Sequence, residues 1–312
     1  MIIDFPKTTT GKISKALVNI REEGGAVALG RVLTLVISTT PGNEEAAISA
    51  ANEASREHPM RVIVLSIPEE STNITNRLDG EIRVGGDAGA SEVIILRAYG
   101  EAGSDELGLV TGLLLPDTPV VVWWPGAAPD NISESPLGSI AQRRITDSAA
   151  QPDELAFLPT LSTAYEPGDT DFAWTRLTPW RQQLASVLDQ PPFDDITAAE
   201  VRAADTSLSA RLLAAWLSIS LDIRVTFTSV PDRPGVGSIQ RVTLTRTSGD
   251  IVLERTEPGM ARLVQPGQPT HEISLARRNL RDCLAEELRH LDPDEVYGKI
   301  LSDGMSLIVE HP

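Results

Sequence analysis

Four apolar runs constrain this chain most: VLTLVI at 32–37, MRVIVLSIP at 60–68, EVIILRAYG at 92–100 and PVVVWWPG at 119–126. Each has the length of a strand and lacks the strict polar alternation of a sheet wetted on one face. Helix-compatible stretches, NEEAAISAANEASREH at 43–58 and DELGLVTGLLLP at 105–116, separate them. EIRVGGD at 81–87 adds a further strand. Ahead of the runs, TTTGKISKALVNIREEGG predicts an opening helix with Ile13, Ala16, Leu17 and Ile20 on one face and Gly24–Gly25 as its stop. Strands alternating with helices specify an α/β domain with a mostly parallel or mixed sheet.

The pattern changes past residue 150. Pro152, Pro159, Pro167 and Gly168 break the segment 149–171, which marks the boundary between domains placed at 1–165 and 166–312. Beyond it, DFAWTRLTPWRQQLASVLDQ reads as a helix kinked or restarted at Pro179. A strand around 196–203 and a helix around 207–221 follow. RVTFTSV, IQRVTLTRTSGDIVLERTEPG and MARLVQP predict antiparallel strands, with a hairpin turn at Ser248–Asp250. RRNLRDCLAEELRHLDPDEVYGKIL predicts two terminal helices split at Asp292–Pro293. The expectation for this half is an α+β C-terminal domain.

Charge narrows the partners. The chain has 27 basic and 44 acidic side chains, a formal charge of −17. Phosphate neutralisation by Lys and Arg drives nucleic-acid binding, so this balance argues against it. No apolar run approaches the roughly 20 residues that span a bilayer. The start, MIIDFPKTTT, has no signal-peptide pattern. One cysteine, Cys283, rules out an internal disulfide and suits a reducing compartment. The expectation is a cytoplasmic protein that binds neither membrane nor nucleic acid.

Catalytic and cofactor motifs fail on inspection. Gly25 and Gly30 have phosphate-loop spacing, but Arg31 and Val32 stand where Lys and Ser/Thr are needed, and the stretch precedes a strand. GVGSIQ from Gly235 lacks the third glycine of a dinucleotide fingerprint. His58, His271, His290 and His311 have no metal spacing; Glu286, Glu287 and His290, with Cys283 two turns from His290, read as solvated helical charge and not as zinc ligands. No G-x-S-x-G elbow is present. The chain is expected to need no metal or cofactor and to be no enzyme.

The remaining signal is the tryptophan strand. Pro125 lacks an N–H and biases Trp124 toward extended backbone, so the strand ends near the Trp pair. Successive side chains alternate, so Trp123 and Trp124 point to opposite faces. Three readings stay open: rings that plug the two core layers, a partner surface, or stacking on a ligand. Arg143 and Arg144 in RRITD add charge near the same end, for an anion or for ordinary ion pairs. Trp123, Trp124, Arg143 and Arg144 are the candidate partner interface, with one ring expected on the core side and one on the partner side.

The order REEGGAVALGRVLTLVI, PVVVWWPG, RRITD, FAWTRLTPWRQQLA and LRDCLAEELRHLDPDEVYG resembles the glucose-6-phosphate dehydrogenase assembly protein family, OpcA. The resemblance runs through most of the chain. It implies a non-catalytic partner that assembles with and activates glucose-6-phosphate dehydrogenase of the oxidative pentose phosphate pathway, with substrate and NADP belonging to the enzyme. Redox control in photosynthetic-bacterial relatives is attributed to partner-protein cysteines; Cys283 alone makes no internal dithiol switch. The competing reading is an α/β sugar-phosphate-binding protein or enzyme with its site at the strand ends near Trp123 and Arg143.

Overall fold

A computed structural model of the chain describes residues 1–23, 32–69, 75–85, 92–233 and 237–311. The Gly24–Gly25 stop, the Gly25–Gly30 stretch, the Gly235 loop and the end of EIRVGGD lie outside them. Two compact units form. The first holds Met1–Ala150, Gly168–Thr170 and Asn279–Pro293; the second holds Gln151–Pro167, Asp171–Arg278 and Asp294–Pro312. The chain crosses between the units within the proline-broken segment and again at 278/279 and 293/294.

In the first unit β1 (Ile2–Phe5) leads to α1 (Thr10–Glu23), β2 (Leu33–Thr39), α2 (Glu44–Ala54), β3 (Met60–Ser66), β4 (Arg77–Arg83) and β5 (Glu92–Tyr99). Then come α3 (Glu106–Thr111), β6 (Val120–Trp124), β7 (Arg143–Thr146) and β8 (Asp169–Asp171). They join in an eight-stranded sheet of order β1-β4-β5-β3-β2-β6-β7-β8. The strands β5, β3, β2, β6 and β7 run parallel. The apolar runs demand this, because parallel sheets are covered on both faces: Val62, Val64, Ile94 and Val121 are completely buried. β4 lies antiparallel to β5, and β1 to β4, so the sheet is mixed at one edge. IIDF and RRIT were not legible as strands, being short and, in RRIT, charged.

The second unit begins with α4 (Leu158–Thr163), α5 (Phe172–Thr175) and α6 (Thr178–Leu188). Pro179 sits in the first turn of α6, where its missing N–H costs nothing, so it restarts the helix. β9 (Ile196–Ala203), α7 (Leu208–Leu221), β10 (Val225–Ser229), β11 (Ile239–Arg246), β12 (Ile251–Glu257), β13 (Met260–Val264) and β14 (His271–Ser274) follow. The chain returns to the first unit as α8 (Leu280–Glu287) and ends in the second with α9 (Glu295–Ser302) and β15 (Ile308–His311). The sheet here is seven-stranded, of order β14-β13-β12-β11-β9-β10-β15.

Strands β11 to β14 form an antiparallel meander, and β11 lies antiparallel to β9. Their burial alternates as a half-covered sheet requires: Val242, Leu244, Ile251 and Leu253 point inward. RVTFTSV is the exception to the antiparallel expectation. β10 lies parallel to both β9 and β15, because α7 carries the chain back between β9 and β10, and a helical crossover joins parallel neighbours. Ser207 caps α7 by accepting from Ala210 N–H at 3.2 Å, and Asp222 closes it in the left-handed conformation at φ 54°.

Polar groups are also buried in the first unit's core. Arg61, 4% exposed, donates from Nε to Glu92 Oε2 at 2.7 Å and from a terminal nitrogen to the Leu113 carbonyl at 2.6 Å. Glu92 is 1% exposed. Removing one partner strands the other charge away from water, whereas replacing both leaves an apolar contact. Arg61→Met is therefore expected to cost about 3–5 kcal/mol in urea unfolding, and adding Glu92→Leu to recover most of that loss. Equal instability of single and double variants would show that the pair is not the source.

Candidate functional site

The tryptophan strand sits inside the first unit. Trp123 pairs in register with Ile37 of β2 and Ile145 of β7, and Trp124 with Thr146. Regular pairing at both positions sends the two rings to opposite faces. Both faces are covered: Trp123 is 0% exposed and Trp124 4%. The ring expected on the partner side is therefore as buried in this chain as the ring expected on the core side. Trp124 still contributes to the wall of a groove of about 500 Å³, with Ser38, Ala127, Pro129 and Pro136.

The arginines that follow are buried too. Arg143 gives two hydrogen bonds to Glu287 Oε2, from Nε at 3.1 Å and from a terminal nitrogen at 2.5 Å, and a third to the Asp292 carbonyl at 3.0 Å. Arg144 pairs with Asp169 and donates to the Ala141 carbonyl at 2.9 Å. Gly168 makes room for it: a Cβ there would lie 2.5 Å from the Gln142 carbonyl oxygen and 3.2 Å from Arg144, at a φ of +104°. Of the two roles weighed for these residues, the geometry displays ion pairing. Glu287, grouped from sequence with Glu286 and His290 as solvated helical charge, is the buried partner of Arg143, and Cys283 nearby is buried as well.

Beyond the carboxyl ends of β2, β3 and β6, where open α/β sheets place ligands, lies a cavity of about 570 Å³. Ser38, Thr39, Pro68, Glu69, Glu106 and Gly126 contribute to its wall. Among its described lining residues there are carboxylates and no Lys or Arg. Burial pushes the Glu106 carboxyl above the usual carboxylate range. A phosphate there would meet negative charge without a cation to offset it. The geometry gives the sugar-phosphate reading no support at this end of the sheet. Among the described residues no group of three or more His, Cys, Asp or Glu side chains forms a metal site, and no helix is long and apolar enough to cross a membrane.

The second unit contains an aromatic cluster that the sequence patterns did not single out. Trp174 donates to Asp294 at 2.7 Å, and the Arg181 guanidinium stacks 3.6 Å from its ring centre. Asp294 also caps α9 by accepting from Tyr297 N–H at 3.0 Å. FAWTRLTPW carried the signal, since aromatic and basic residues recur there at helical spacing.

Fold and site together define a two-part protein, an α/β unit and an α+β unit, whose strand-end residues are occupied by packing and ion pairing. Residues 51–163 match the N-terminal domain of the glucose-6-phosphate dehydrogenase subunit family, and residues 167–301 match its C-terminal domain. The chain belongs to this OpcA family of glucose-6-phosphate dehydrogenase subunits and has a glucose-6-phosphate dehydrogenase-associated assembly role. Among solved structures it is similar to an oxidoreductase from Sinorhizobium meliloti, with a TM-score of 0.47, 10% identity, and 88% of this chain and 94% of that one covered. A second, E. coli structure, described as trehalose-6-phosphate bound with UDP-2-fluoro glucose, has a TM-score of 0.24, 12% identity and coverage of 64% and 65%. Neither likeness carries an argument about function. No curated protein matches the chain.

The Arg144–Asp169 pair yields a direct test. Arg144→Ala leaves a buried carboxylate without its cation and is expected to destabilise the protein by about 3–5 kcal/mol in chemical unfolding. Arg144→Ala combined with Asp169→Asn is expected to regain part of the loss. A single variant as stable as the parent would mean that the pair contributes nothing to folding.

Proposed function

We propose that this chain is a non-catalytic assembly factor and allosteric activator of glucose-6-phosphate dehydrogenase, working in the cytoplasm within the oxidative pentose phosphate pathway. The observation that carries the reading is the pair of family matches, an N-terminal domain at 51–163 and a C-terminal domain at 167–301, in that order along one chain. An activator must bind the active form of its enzyme more tightly than the inactive form. A chain that raises activity tenfold at saturation by shifting its enzyme toward the active form needs a difference of at least about 1.4 kcal/mol, well within the reach of one protein interface.

Within this proposal Trp123, Trp124, Arg143 and Arg144 serve the partner interface from beneath. They hold the ends of β6 and β7 in place, and Trp124 supports the groove lined by Ala127, Pro129 and Pro136. Ala127 is exposed beside that groove, so a charge placed there disturbs contact without disturbing the core. Ala127→Glu is expected to leave the melting temperature unchanged and to weaken association with the dehydrogenase about tenfold. Undiminished association would remove this groove from the interface.

Activation is tested by mixing the purified dehydrogenase with this chain, measuring complex formation, and following initial rates across substrate concentrations. The expected result is a stable complex with a lower KM for glucose 6-phosphate or a higher kcat. A complex with both constants unchanged would leave assembly standing and remove activation. With Cys283 buried as the sole thiol of the chain, Cys283→Ser is expected to leave any response of the complex to reductant unchanged; loss of the response in that variant would point to an intermolecular disulfide.

A further inference from the structure

A cavity with a cationic lining lies in the second unit. It has a volume of about 510 Å³ and lies beside the start of α7, walled by α6, β11, β12 and the segment after β14. Among its described lining residues are Arg176, Arg233, Arg255 and Arg277, against two acidic residues, Glu154 and Asp232. In a chain of net charge −17, a cavity with more guanidinium than carboxylate in its wall runs against the average surface. Its volume lies within the roughly 300–1,000 Å³ of small-molecule sites.

The four cations are not equivalent. Arg233 and Arg277 are exposed at the rim, while Arg255 is 5% exposed. Arg255 reaches the cavity from β12 with its guanidinium 5.4 Å from the centre of the Trp180 ring. Gly237 clears its path: a Cβ there would lie 2.8 Å from an Arg255 terminal nitrogen, at a φ of +112°. Burial, and then repulsion from Arg277, hold the Arg255 pKa below the ordinary guanidinium value. An anion entering the cavity would relieve the repulsion between Arg255 and Arg277.

The N-terminus of α7 borders the cavity with part of its first turn already engaged. Ser207 Oγ accepts from Ala210 N–H, and the Glu154 carboxylate faces the Leu208 backbone, which helps to lower its pKa. Burial, the first cause, and neighbouring Asp171, the second, push the Glu154 carboxyl above its usual range, while Arg176 and Arg277 pull it down. The positive charge of the lining comes from the arginines.

We propose that this cavity binds a phosphorylated small molecule, with Arg255 and Arg277 holding the phosphate group. Guanidinium forks match the oxygens of a tetrahedral dianion from more than one direction, which a single carboxylate does not exploit. The site belongs to this chain, and its test requires no dehydrogenase, so it stands apart from the activator reading.

The full-length chain is titrated calorimetrically at constant ionic strength with glucose 6-phosphate, inorganic phosphate and glucose. Saturable binding of glucose 6-phosphate, competition by inorganic phosphate and silence from glucose are expected. Arg277→Glu, at an exposed position, is expected to keep the parent melting temperature and weaken binding at least about tenfold. Glu154→Gln removes a negative charge and is expected to tighten binding several-fold. Absence of saturable binding by either phosphate probe would overturn the proposal, as would unchanged affinity in Arg277→Glu. Loss of dehydrogenase association in Arg277→Glu, with no phosphate binding in the parent, would overturn it as well and give the cavity to acidic side chains of the partner protein.

Discussion

Two adjacent arginines of β7 tie the first unit together. The chain leaves this unit after Ala150 and re-enters it twice, at Gly168–Thr170 and at Asn279–Pro293. Arg144 pairs with Asp169 on the first returning segment, and Arg143 with Glu287 on the second. Because strand neighbours point to opposite faces, consecutive residues are the economical way to hold two segments on two sides of one strand. The pairs are buried, so each is specific more than it is strongly stabilising: a mispaired arginine there would sit charged and dry. The parallel neighbour β6 delivers Trp123 and Trp124 alongside, and their burial follows from the same enclosure.

This enclosure also explains what was legible in the sequence. The continuous runs at β2, β3, β5 and β6 announced a parallel sheet, since only strands covered on both faces read that way. The alternation of β11 to β13 announced the antiparallel meander. Pro179 and Asp292–Pro293 marked the helix restart and the split between α8 and α9. What a linear pattern cannot carry is pairing at a distance. RRIT reads as charge near the end of the tryptophan strand because its acids stand 25 and 144 residues away, and the short strand β1 acquires its meaning only beside β4. The parallel setting of β10 depended on the crossover made by α7, which local composition does not encode.

The same limit applied to the site. The sequence places Trp123 and Trp124 close to Arg143 and Arg144 near the strand ends, yet the cavity at that end is lined by Glu69 and Glu106. The residues that make a cationic cavity, Arg176, Arg233, Arg255 and Arg277, lie on separate elements spread over about a hundred positions, a separation that sequence-local motifs do not capture. Their signal was diffuse: most of the 27 basic residues in the chain are arginine, the side chain suited to buried and bidentate work.

On the proposed reading the chain acts through binding free energy, and two separate places are candidates for that action. The groove over Trp124 belongs to the first unit, and the arginine cavity to the second. If an enzyme occupies one and a phosphorylated metabolite the other, linkage requires that any effect of the metabolite on enzyme affinity be matched by an equal effect of the enzyme on metabolite affinity. The coupling, measured as the ratio of metabolite affinities with and without the enzyme, separates two roles that look alike in a rate assay. A ratio of one makes the cavity an independent site and leaves activation to the interface. A ratio away from one turns the protein into a sensor, whose grip on the dehydrogenase follows the concentration of a small anion.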